Sequence, residues 1–132
     1  MTYYVSTTLQ APFEEAVARA RDALAAEGFG VVSEIDLAGT LRAKLGVERR
    51  PYLILGACNP SLAHQALELE DKVGLMLPCN VIVQDLGAGR CEIAAIDPAA
   101  AMAAIENAQL KAKAAEVGDK LRAAIGRLRP GA

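Results

Sequence analysis

The chain has 132 residues and a formal net charge of −2, with acidic and basic residues interspersed. That length suits one domain with one core, and the lack of a basic stripe leaves nothing to neutralise phosphates, so DNA and RNA are discounted as partners. Apolar residues make up 53% of the chain but aromatics only 4%, with no Trp, so the core must be built from Ala, Leu, Val and Ile.

No stretch approaches the length of a membrane span, and the opening Met1-Thr2-Tyr3-Tyr4 lacks the basic-then-apolar pattern of an export signal. A cytoplasmic protein without a membrane partner is expected. Three cysteines, an odd number with no C-x-x-C pair, point to free thiols in a reducing compartment.

The β-formers over 2–9 predict a strand, and Pro12 suits the first position of a helix over 12–27. Phe13, Ala16, Val17, Ala20 and Leu24 recur there at helical spacing, and Gly28 is the stop. Alternation of Phe29, Val31, Ser33 and Ile35 predicts a strand with these four on one face. Asp36 then caps a short helix with Leu37, Leu41 and Leu45 on one side, ended by Gly46. The unbroken apolar run over 52–57 predicts a buried central strand.

Asn59-Pro60 is a cap followed by a first-position proline, opening a helix to about Leu69 that is buried through Leu62, Ala63, Ala66 and Leu67. Gly74 and Pro78 interrupt the next apolar stretch, so a strand is expected from about Cys79 to Leu86. Gly87-Ala88-Gly89 turns it into an antiparallel neighbour over 90–96. Asp97-Pro98 opens a helical final third, with Met102 and Ile105 in its first part. Its last helix is marked by Leu110, Ala114, Val117, Leu121, Ile125 and Leu128, with Lys111, Lys113, Glu116, Asp119 and Arg122 off that stripe. No repeat or linker divides 1–132, and the order of elements predicts an α+β fold, a mostly antiparallel sheet covered on one face by helices.

Two segments place Cys-Asn beside proline: Cys58-Asn59-Pro60 and Pro78-Cys79-Asn80. Cys58 precedes a helix N-terminus, where the dipole favours an anion, so it is the candidate reactive thiol; the alternative is a buried space-filling Cys beside a capping Asn59. Cys79, Val81 and Val83 share a core face, and Asn80, Ile82 and Gln84 the other. Asn80 and Gln84 become ligand groups if that face lines a pocket, and are otherwise solvated. Cys91 reads as packing, with no charged neighbour on its face. His64 projects with Gln65 and Glu68 towards solvent, so a Cys58–His64 catalytic pair lacks both reach and an orienting group.

A closed zinc site would need all three cysteines and His64, without the usual close ligand pairs. Cu(I) needs fewer donors, and Cys58 and Cys79 with Met76 or Met102 would supply them if the two Cys-Asn turns meet. The glycine fingerprints of nucleotide sites are absent, so no nucleotide site is implied and the residues leave the cofactor unknown.

The run Ile54-Leu55-Gly56-Ala57-Cys58-Asn59-Pro60-Ser61-Leu62-Ala63, followed by Gly74-Leu75-Met76-Leu77-Pro78-Cys79-Asn80-Val81-Ile82-Val83, resembles a prokaryotic family catalogued as domain of unknown function 302. The resemblance extends from Tyr3-Tyr4 through Asp97-Pro98 to the last helix. It implies a fold similar to half of a TATA-box-binding protein, with a curved antiparallel sheet against helices, and a homodimer. It implies no reaction, substrate or cofactor. Relatives often have Asn-Pro opening a separate last helix where this chain has Asn107-Ala108, which leaves a break there open.

The resulting expectation is a non-catalytic domain that binds or senses a small molecule as a homodimer, with Cys58, Asn59, Cys79, Asn80 and Gln84 forming one site where the two turns converge. The alternatives are a thiol-dependent redox enzyme or soft-metal protein using Cys58 and Cys79, and an interaction module acting through its dimer surface.

Overall fold

The computed structural model describes residues 2–128. Five strands, β1 (Tyr4–Gln10), β2 (Gly30–Asp36), β3 (Tyr52–Cys58), β4 (Cys79–Gly87) and β5 (Arg90–Ile96), form one curved sheet in the order β1-β5-β4-β3-β2. Every pairing is antiparallel. The helices are α1 (Phe13–Ala26), α2 (Leu37–Leu45), α3 (Pro60–Leu69), α4 (Pro98–Ala101) and α5 (Ala108–Gly126), with a 3-10 turn over Asp71–Met76.

Period-two alternation aligns Leu53, Leu55 and Ala57 of β3 with Cys79, Val81 and Val83 of β4 and Cys91, Ile93 and Ala95 of β5. This face packs against Ala16, Ala20 and Leu24 of α1 and Leu121, Ala124 and Ile125 of α5, where the alanines let helix and sheet approach closely. A smaller apolar cluster of Ala66, Val73, Met102, Leu110 and Ala114 joins α3 to the first half of α5. Both central strands of the sequence reading are interior: β3 lies between β2 and β4, and β4 between β3 and β5.

The capping chemistry acts where the residues placed it. Asp36 Oδ1 accepts from the Gly39 N–H at 2.9 Å, and Asn59 Oδ1 from the Leu62 N–H at 3.2 Å. In the hairpin turn Ala88 and Gly89 have φ of 57° and 74°, the left-handed pair that matches the twist of a two-residue connection.

Four readings of the sequence change. Pro12 caps α1 from just outside instead of opening it. In β2 the ladder shifts at Val32, so Val31 pairs with Ala57 on the core face while Ser33 and Ile35 pair with Gly56 and Ile54 on the other. One extra residue in a strand reverses the facing of everything after it. Helix α2 forms, but buries none of its side chains, and Leu45 is 69% exposed, because its main contact is with β3 alone. Leu67 likewise faces outward from α3.

The final third also breaks in two. The chain leaves α4 after Ala101, and Asn107 restarts it: its Oδ1 accepts from the Leu110 N–H at 3.0 Å while its Nδ2 donates to the Leu69 carbonyl at 2.9 Å. The side chain that caps α5 therefore also ties it to the end of α3.

Candidate functional site

Strand β3 ends at Cys58 and β4 begins at Cys79, and Ala57 is paired with Cys79 across the ladder. The two Cys-Asn turns thus lie at the same end of the sheet, because α3 and the 3-10 turn carry the chain back to the strand next door. Gly56 is held against the ring of Pro78 and the hydroxyl of Ser33, with no room between them for a Cβ.

Between this sheet end, α3 and α5 lies a narrow apolar cavity of about 40 Å³. Cys58, Cys79 and Met102 border it, together with small side chains such as Ala63 and Ala114. Among the described residues Lys113 is its only charged lining residue, and its Nζ is 3.2 Å from Glu116 Oε1 at the surface. Cys79 is buried, and burial, reinforced by the nearby Cys58, pushes its thiol up to about 11. Cys58 is half-buried, one residue ahead of the Asn59 cap and the N-terminus of α3. A second cavity, of about 230 Å³, shares Pro78, Cys79 and Met102 with the first and is also bordered by the exposed Met76.

Asn80 borders this second cavity, and Gln84 lies farther along β4. They share the other face of the sheet, where a straight row crosses all five strands: Ile35, Ile54, Ile82, Ala94 and Ser6. Beside it Gln84 Nε2 donates to Glu92 Oε1 at 2.8 Å. All three tyrosines of the chain, Tyr3, Tyr4 and Tyr52, border the resulting groove of about 390 Å³. The alternation that makes Cys79 a core residue turns the Asn80 side chain to the other face, yet Asn80 borders the second cavity with Cys79 as well as the groove with Gln84, while Gln84 borders only the groove. Asn59 stands at the cavity edge with its side-chain oxygen already used as a helix cap.

The profile of a family described as domain of unknown function DUF302 matches residues 5–128. The chain belongs to this family. It is also similar to the crystal structure of an uncharacterized conserved DUF302 protein from Bacillus stearothermophilus, with a TM-score of 0.89 and 28% identity over 98% of this chain and 100% of that one. No curated protein matches.

Within this DUF302 chain the remaining candidates take structural roles. His64 is well exposed and sits 4.0 Å from Glu68, away from both cysteines' cavity. Cys91 packs beneath the hairpin with its thiol 3.4 Å from the Ala11 carbonyl. Its directly paired neighbour is Asp85, so burial and then this carboxylate raise its pKa, which corrects the expectation of an uncharged setting. Among the described residues, no three His, Cys, Asp or Glu side chains are grouped to hold a metal ion, and no helix is long and apolar enough to cross a membrane. Sequence reasoning missed Lys113, which lies beside the buried Ala114 and is long enough to reach the cavity from the edge of the stripe.

Proposed function

We propose that this DUF302 domain binds a ligand of only a few atoms in the cavity beside Cys58 and Cys79, and does so as a homodimer. The observation that carries this reading is the convergence on one void of two cysteines and a methionine in a wall that is otherwise mostly apolar. Such a wall attracts small, polarisable ligands and repels water, which needs polar partners. A ligand there joins α3, α5 and the sheet, so binding stabilises the domain and signals occupancy through its rigidity. Thiol catalysis is less well supported, because His64 is not among the residues lining the cavity and is exposed beside Glu68.

The test is xenon, an apolar probe of atomic size. Under xenon pressure the amide resonances of Ala57, Ala63 and Ala114 are expected to shift, and Ala63→Leu, which grows into the void, to suppress the shift. Unchanged spectra in the unsubstituted protein would refute the reading. The dimer is supported by the family resemblance and by the apolar row left uncovered on the sheet.

A further inference from the structure

The cavity is too small for most organic ligands, and its lining residues include three that carry sulfur, Cys58, Cys79 and Met102. We infer that the ligand is one Cu(I) ion, bound between the Cys58 and Cys79 thiolates with the Met102 thioether as a weaker third donor. This inference rests on the ligand-binding reading of the same cavity.

Three considerations select the ion. Calcium and magnesium require six or more oxygen donors, which this wall does not offer. Zinc in a closed site takes four donors in tetrahedral geometry, and among the described residues no group of three His, Cys, Asp or Glu side chains exists to begin one. Cu(I) is soft, prefers thiolate and thioether sulfur, and is satisfied by two or three donors.

Charge agrees with this choice. As each S–Cu bond forms its thiol proton leaves to solvent, so two protons are released, copper stays Cu(I), and no electron moves. The bis-thiolate complex carries one net negative charge, close to the N-terminal end of α3 just after Cys58, with Lys113 among the residues lining the cavity. A second cavity lies alongside: Met76, 40% exposed, borders it, and Cys79 and Met102 border both cavities.

The experiment is an anaerobic titration of the reduced protein with Cu(I) in competition with bicinchoninate, a chromophoric Cu(I) chelator. One ion per chain and release of two protons are expected, with sulfur-only scattering at the copper X-ray absorption edge. Removing a first donor must cost at least as much as losing an outer-sphere contact, so Cys58→Ser and Cys79→Ser should each weaken binding by about 100-fold or more, and Met102→Leu by about tenfold. Cys58→Ser keeps the test valid if the buried Cys79→Ser variant fails to fold. Failure to take Cu(I) from the chelator, undiminished binding by Cys58→Ser, or equally tight binding of Zn(II) would each overturn the assignment. Xenon binding without Cu(I) binding would remove copper and leave the ligand-binding reading standing; the absence of both would remove both.

Discussion

Cys58 and Cys79 stand one step apart across the β3–β4 ladder, yet their surroundings give them opposite accessibility. Cys79 is 5% exposed with its thiol pushed up to about 11, whereas Cys58 is half-buried at the strand end. Native-state alkylation at neutral pH should therefore label Cys58 first and leave Cys79 and Cys91 unmodified until unfolding; mass spectrometry showing Cys79 labelled as fast as Cys58 would contradict this. The raised pKa also fixes a sign. Between the unfolded thiol value of about 8.5 and the folded value the native state binds the extra proton, so stability falls as pH rises through that window and is unaffected below it. The slope is at most about 1.4 kcal/mol per pH unit for one thiol. Urea titrations near neutral and alkaline pH should show a smaller loss in Cys79→Ala than in the unsubstituted protein; equal losses would assign the effect elsewhere, Cys91 acting in the same direction. Alternation alone identified Cys79 as core and Asn80 as its opposite. Met102 was named from the sequence only as an alternative to Met76, and Lys113 was set off the helical stripe, because pattern does not show that it leans in from the edge of that stripe.

Helix α5 is the element on which both apolar clusters depend, since Leu110 and Ala114 serve the smaller and Leu121 and Ile125 the larger. Leu121 has no exposure, so Leu121→Ala should cost about 2 to 5 kcal/mol in a denaturant titration, and a change near zero would contradict the packing. Asn107→Ala removes the α5 cap and the tie to Leu69 together, with an expected loss of about 1 to 3 kcal/mol; Asn107→Asp keeps the cap oxygen but not the donor, and should fall between the two. These elements were legible because their signals are local: a capping side chain, a proline after it, a repeat of apolar residues. The shift at Val32 was not, since it is set by how β2 registers against β3, where Gly56 is pressed between Ser33 and Pro78. Nor was the exposure of α2, whose leucines have the right spacing but no neighbouring element to cover them. Periodicity states which residues share a face, and only the tertiary arrangement decides whether that face is covered.

For the whole molecule the same question applies to the sheet, which has helices on one face and the row Ile35, Ile54, Ile82, Ala94 and Ser6 on the other. The sequence placed Ile82 opposite the core residues of β4, but did not indicate which face the helices would leave free. A second copy of the chain is the occupant we propose, because a two-fold axis through the central strands would set each protomer's apolar row against its partner's and enclose the tyrosine-bordered groove. Ile82 lies on β4, in the middle of the row, so substitution there acts near the axis and is felt twice, once from each protomer. In Ile82→Asp, two carboxylates would be brought together in an apolar setting, a cost that exceeds what a modest interface supplies. Light scattering at micromolar concentration should give a dimer for the unsubstituted chain and a monomer for Ile82→Asp, with unchanged circular dichroism because the core face of β4 is untouched. Leu67→Asp, on the outward side of α3, is the control and should remain dimeric. A monomeric unsubstituted chain would refute the dimer itself, whereas a dimer that persists in Ile82→Asp would move the interface off this face, with the exposed α2 and the β2 edge, including Val32 and Leu45, next in line.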